Sequence, residues 1–162
     1  WSFVNALRSC MREDPNVVFV GEIRDKETAD AVLSLSETGH LAFSTLHTPS
    51  ASGTINRFIS FFAPEIQDSV AARLADSLLA VLSQFLVKNA DGKGRVAVYE
   101  LMINTLAIKN NIAKKQIPQI DNVIETNNSN GMISMKQYAQ RLIDKNIVAE
   151  ESVRFILGNP TK

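Results

Sequence analysis

The sequence predicts an α/β domain followed by a small all-α lobe. Three observations point there. Two short apolar runs, Val17–Val20 and residues 41–46, are separated by a helix-like run. Each apolar run ends at polar groups, with Glu22 after the first and His47 after the second. From Thr105 onward only short helical patterns recur. In an open parallel sheet, ligands sit just outside the carboxyl ends of the strands. Glu22 and His47 are therefore expected on one rim, with the remaining elements supporting it.

Composition narrows the function classes. The chain has 162 residues, enough for one domain and a small lobe, and its 45% apolar content can build a core. Lys and Arg number 17, as do Asp and Glu, which argues against a nucleic-acid binder working through a broad basic face. No apolar run approaches the roughly 20 residues of a membrane helix, and no signal peptide opens the sequence. The single cysteine, Cys10, cannot form an internal disulfide or a cysteine zinc site, which fits a reducing cytoplasm. The first residue is Trp1 rather than methionine, and an excised piece is the expectation.

Taken in order, residues 3–13 read as a helix, with Val4, Leu7 and Met11 on one side, Ala6 and Cys10 beside them and Ser2 as its cap. Asp14-Pro15-Asn16 stops it, because proline disfavours helical geometry in the residue before it. Val17–Val20 is apolar at every position, as in a parallel strand buried on both faces. Gly21 allows backbone or ligand to come close. Asp25 can cap a helix over 26–38, and Gly39 suits the position just past its end. Residues 41–46 form the second strand. Ser50 can cap a third helix whose core stripe is Ile55, Phe58, Ile59 and Phe62. Pro64 fits the first turn of the next helix, where Ile66, Val70, Leu74, Leu78 and Val81 keep helical spacing for four turns. Two consecutive helices depart from strict β-α alternation. Residues 85–87 and 95–103 read as a hairpin around the turn-rich loop 89–94, with Glu100 inside its second strand. The lobe's helices fall at 106–114, 118–125, 134–145 and 150–157, with Met132, Ile133 and Met135 in its core.

An acid just after a buried apolar strand has the general form of a Walker B element. A carboxylate held rigidly there can orient the waters of Mg²⁺, which prefers oxygen ligands and keeps several waters. Glu22 fits that role; an ordinary acidic loop residue is the plain alternative for a single such instance. Asp25 competes, but its position better suits a helix cap. His40 and His47 bracket the second strand seven residues apart, an offset that places them on opposite faces of a fully extended chain. Two isolated histidines are too few for a zinc site. A histidine near phosphate could donate to the γ-oxygens and report their loss. Arg24 could reach a phosphate or a neighbouring subunit, although an arginine beside an aspartate is more often a solvated surface group.

Together these motifs are more specific than any one alone. The run L-R-S-C-M-R-E-D-P-N-V-V-F-V-G-E-I-R-D, residues 7–25, resembles the Walker B region of the type II/IV secretion ATPase superfamily. E-T-G-H-L-A-F-S-T-L-H-T, residues 37–48, is similar to its histidine box. Within the superfamily the closest likeness is to the PilT-type pilus retraction (twitching motility) ATPases. The segment A-I-K-N-N-I-A-K, residues 107–114, matches their A-I-R-N-L-I-R-E signature at Ala107, Ile108, Asn110 and Ile112, and departs at Lys109, Asn111, Ala113 and Lys114. The single cysteine also sets the chain apart from type II secretion ATPases with a four-cysteine zinc element.

The resemblance implies part of a RecA-like P-loop NTPase core over residues 1–104, with the all-α C-terminal domain over 105–162. It implies a cytoplasmic homo-hexamer at the inner face of the inner membrane, peripheral to it, that hydrolyses ATP with Mg²⁺ and works on an inner-membrane pilus platform protein. Glu22 would take the Walker B role, holding Mg²⁺ through water. His47 would sit near the γ-phosphate, and Gly21 and His40 would contribute to nucleotide binding. No G-x-x-x-x-G-K-S/T occurs in the 162 residues, so the Walker A half is missing and the chain by itself is expected to be inactive. The alternatives are a pilus-assembly or type II secretion ATPase, a retraction accessory paralogue, and a non-catalytic interaction module working through the lobe.

Overall fold

A computed structural model describes residues 12–158 together with Ala6, Ser9 and Cys10. Those three residues are helical, and Arg12 and Glu13 follow in a turn. The rest of the helix expected over 3–13, its Ser2 cap and the stretch from 159 lie outside the described residues. Asp14, just before Pro15, takes a left-handed φ of 50° and turns the chain into the first strand.

The order is β1 (Val17–Val20), α1 (Lys26–Glu37), β2 (Leu41–Ser44), α2 (Ala51–Ser60), a 3₁₀ turn (Pro64–Ile66) and α3 (Gln67–Ser77). Then come β3 (Ala80–Lys88), β4 (Arg95–Ile103), α4 (Leu106–Ala113) and α5 (Ile117–Thr126). A second 3₁₀ turn (Asn128–Asn130), α6 (Met135–Asp144) and α7 (Glu150–Leu157) complete the described chain.

β1 and β2 are parallel, paired from Val17 with Leu41 to Val20 with Ser44, and α1 is the crossover between them. One face of this pair is buried: Val20 is 1% exposed and packs with Ala29, Val32 and Leu33 of α1 in the main core. Among the described residues the other face has no cover. Phe19 is 71% exposed and Phe43 53%, with Val17 and Leu41 beside them. The expectation that β1 is buried on both faces is thus corrected. Its unbroken apolar sequence supplies two faces, but the helix cover described here lies on one.

β3 and β4 form a separate antiparallel hairpin with nine pairs, from Ala80 with Ile103 to Lys88 with Arg95. β3 starts earlier than its sequence suggests, and the helix before it is shorter. α3 ends at Ser77, Leu78 is already extended at ψ 136°, and Val81 belongs to β3 rather than to a fourth helical turn. Asn104 supplies the reason. Its side-chain amide donates to the Ala75 carbonyl at 2.9 Å and the Leu78 carbonyl at 2.7 Å, and its backbone N–H takes Leu79 at 2.9 Å. The last carbonyls of a helix need outside partners, and here they come from the far end of the hairpin.

The main hydrophobic cluster runs from Val18 and Val20 through α1, α2 and α3 to Ile108 and Ile112 on α4 and Ile120 and Ile124 on α5. Each fully buried isoleucine contributes about 1.5–3 kcal/mol by leaving water. A second cluster joins Val87 and Val98 of the hairpin to Met135, Ala139 and Leu142 of α6 and Val153 of α7. Met132 and Ile133 are buried as expected. Ile133 also exchanges two backbone hydrogen bonds with Leu101 of β4, at 2.9 and 3.1 Å.

Candidate functional site

The parallel alignment continues beyond the strands. The Ile23 N–H donates to the Thr45 carbonyl at 3.0 Å, and the Thr45 hydroxyl donates to the Gly21 carbonyl at 2.5 Å. Ile23 is buried in the core. Gly21 and Ile23 are thus both pinned, and Glu22 between them is presented at the carboxyl-end rim. His47 arrives from the end of β2. Its Nε2 lies 3.2 Å from Glu22 Oε1. The two residues expected to share the rim are within hydrogen-bond reach of each other.

Arg24 closes on the other oxygen of Glu22, with Nε at 2.7 Å and Nη2 at 2.6 Å from Oε2. That hydrogen bond lowers the Glu22 pKa, burial opposes it, and the charges of Arg24 and His47 add to the lowering. The carboxylate is held ionised. Glu22 is largely shielded, while the His47 side chain is 82% exposed and Arg24 is also exposed, so both partners are free to meet a ligand.

Asp25 is committed elsewhere. It accepts the Thr28 N–H at 2.8 Å as the N-cap of α1, and this bond lowers its pKa. The helix-cap reading of Asp25 matches this geometry. Gly21, Glu22, Arg24, Asp25, Thr28 and Thr45 line an open depression of about 520 Å³. A Cβ built at Gly21 would meet nothing within 4 Å, so the space beside the rim is unfilled there.

His40 stands at the opposite end of β2. Its Nδ1 lies 3.0 Å from the Thr38 hydroxyl and 3.2 Å from the Leu35 carbonyl, at the C-terminal turn of α1. The fold does not bring His40 to Glu22 and His47 within this chain. Among the described residues no group of three or more His, Cys, Asp or Glu could hold a metal ion. A single carboxylate such as Glu22 can take part in holding Mg²⁺, which keeps several of its own waters.

Three features of the site were not foreseen. Thr45 pins Gly21, and its only sequence signal is a hydroxyl at the end of an apolar run. Thr48 and Thr54 place their hydroxyls 2.6 Å apart, fastening the His47 loop to α2. Glu100 is buried at 7% exposure and accepts from the backbone N–H groups of Ala51 and Met135. An acid within the run V-A-V-Y-E-L-M was a visible signal, but its partners lie 49 and 35 residues away.

Residues 1–153 match the family described as type II/IV secretion system protein. The twitching motility protein of Neisseria gonorrhoeae is 44% identical over 153 residues, which cover 94% of this chain and 41% of that protein. The type IV pilus retraction ATPase PilT of Pseudomonas aeruginosa is 43% identical over 152 residues, covering 94% of this chain and 44% of that one. The chain thus spans about two-fifths of the length of these relatives. A crystal structure of the pilus retraction motor PilT with bound ADP superposes with a TM-score of 0.84 at 38% identity, over 93% of this chain and 42% of that one.

Proposed function

The chain belongs to the type II/IV secretion system protein family, and from that premise we propose that it carries the Walker B carboxylate and histidine box of a RecA-like, ATP-hydrolysing motor for type IV pilus retraction. The observation that carries this reading is the meeting of Glu22 and His47, 3.2 Å apart, at the carboxyl ends of two adjacent parallel strands. The motor is a homo-hexamer in the cytoplasm, peripheral to the inner membrane, with ATP bound between subunits and a platform protein as its target. Among the described residues no helix is long and apolar enough to cross a membrane.

In this reading the chain's own groups do three things. Glu22, kept ionised by Arg24, presents a fixed negative charge at the rim. His47, whose Nε2–H is held by that carboxylate, donates from Nδ1 to a terminal phosphate oxygen only as the protonated imidazolium. Gly21 leaves the space in which phosphate can approach. Mg²⁺, when bound, would neutralise phosphate charge, with Glu22 holding it through water. The part of His40 rests on the family motif alone. Phosphate itself needs a cradle of backbone N–H groups. The 162 residues hold no Walker A sequence, so turnover requires a phosphate loop from outside them.

The test is calorimetric titration of Mg-ATP with a parallel phosphate-release assay. The 162-residue chain should show neither binding nor release. The longer protein that contains it should show both. There, Glu22→Gln should lower turnover by about 10²- to 10⁴-fold, as expected for a group acting directly on the reaction, with nucleotide binding retained. Tight binding and turnover by the 162-residue chain would overturn the proposal. Loss of binding in Glu22→Gln would make Glu22 structural.

A further inference from the structure

Two helices of this fold begin in the same way. Ser50 caps α2 by accepting the Gly53 N–H at 3.0 Å, and Ser134 caps α6 by accepting the Gln137 N–H at 3.3 Å. Such a cap serves the third amide of a helix and leaves the first without a partner. The first amides are those of Ala51 and Met135, and one carboxylate takes both. Glu100 Oε1 accepts from Ala51 at 2.8 Å, and Oε2 accepts from Met135 at 3.3 Å. A buried carboxylate is costly unless its oxygens are satisfied. Here the positive ends of two helices satisfy it.

α2 starts four residues after His47. Thr48 is fastened to the first turn of α2 through Thr54 at 2.6 Å. His47 in turn reaches Glu22. We propose that Glu100 is a positioning residue for the Glu22–His47 site: it ties the helix behind the His47 loop to the N-terminus of α6, so that a shift of α6 displaces His47. The proposal rests on reading the rim as the nucleotide site. It adds the route by which the C-terminal helices act on that site. Energetic coupling of this kind passes through contiguous packed and hydrogen-bonded groups.

The chain's two histidines, at opposite ends of β2, make the test internally controlled. In the protein labelled with ¹⁵N-histidine, Glu100→Gln keeps the side chain's size but turns one acceptor into a donor facing an N–H. The ring resonances of His47 should move and those of His40 should stay. Met135→Pro removes the bond from Glu100 to α6 and leaves the one to α2. Proline lacks the N–H and is accepted at the first helical position, and Ser134 before it, at φ −77° and ψ 155°, already has a suitable conformation. This variant should move His47 in the same direction. In the longer motor, Glu100→Gln should lower kcat by about 2- to 30-fold, the span of such couplings, with KM for ATP unchanged. An unmoved His47 in both variants would overturn the proposal. So would both histidines moving together with a falling Tm, which marks general loosening. If Glu100→Gln does not fold, Met135→Pro decides. A displaced His47 in a motor that never hydrolyses ATP keeps the link and removes the functional reading instead.

Discussion

Glu22 is held by two neighbours of different kinds, a guanidinium on one oxygen and an imidazole on the other. With Arg24→Ala, the Glu22 pKa should rise toward its ordinary value of 4.5, read by carboxyl-carbon NMR titration. An unchanged value would mean that Arg24 is not what keeps the acid ionised. Asp25 and Glu37 are shifted with the same sign, by the Thr28 N–H and by Arg73. A carboxylate with a lowered folded pKa stabilises the fold fully above its unfolded value, and the contribution is lost as pH falls through the folded one. The ordinary values are 3.8 for Asp25 and 4.5 for Glu22 and Glu37. The urea midpoint should therefore fall as pH drops below 4.5; a midpoint that rises on acidification would contradict this. Arg73 forks onto Glu37 at 2.6 and 2.8 Å and reaches Asp30 at 3.2 Å, joining α3 to α1. These groups are partly exposed, so Arg73→Ala should cost only about 1 kcal/mol in urea unfolding.

At the scale of elements, helix starts were legible because their chemistry is local. Asp25 and Ser50 each cap the helix that their position suggests, and Gly39 takes the positive φ of 92° expected just past α1. Asp25→Ala should therefore cost about 1 kcal/mol, by loss of the cap, measured as a shift in the urea midpoint. The rim was legible for the same reason: Glu22 and His47 lie within two residues of the ends of apolar runs. What sequence spacing missed was set by distant partners. The end of α3 is fixed by Asn104, 26 residues beyond Leu78. The bare face of β1 could not be read because alternation is absent from V-V-F-V, so its sequence looks the same whether one face is covered or two. His40 and His47 share a motif, but a strand lies between them and sends them to opposite ends. The pattern of α4 and α5 was read correctly as helical, and its isoleucines enter the main cluster. Ile112→Ala should cost about 2–5 kcal/mol, seen as a lower denaturation midpoint.

For the molecule as a whole, Val17, Phe19, Leu41 and Phe43 form an exposed apolar face on the β1–β2 sheet. An open edge beside such a face invites pairing with other chains. The isolated chain should self-associate in sedimentation experiments. Phe19→Lys with Phe43→Lys should leave it monomeric with its thermal unfolding little changed. Association that persists in the double variant would place its cause elsewhere. The two sheets also differ in how far apart in the chain their partners lie. β3 and β4 meet across the short loop 89–94, and the Asn89 N–H bonds the Gly94 carbonyl as the turn closes. β1 and β2 pair over four residues only, with a whole helix between them. Short closures form early and long parallel ones late. In deuterated water the hairpin amides should be the last to exchange, and those of Val17–Val20 and Leu41–Ser44 among the first. The long hairpin is closed by its own loop, whereas the four-residue β1–β2 pair is closed only through α1, so the two sheets can open independently of each other.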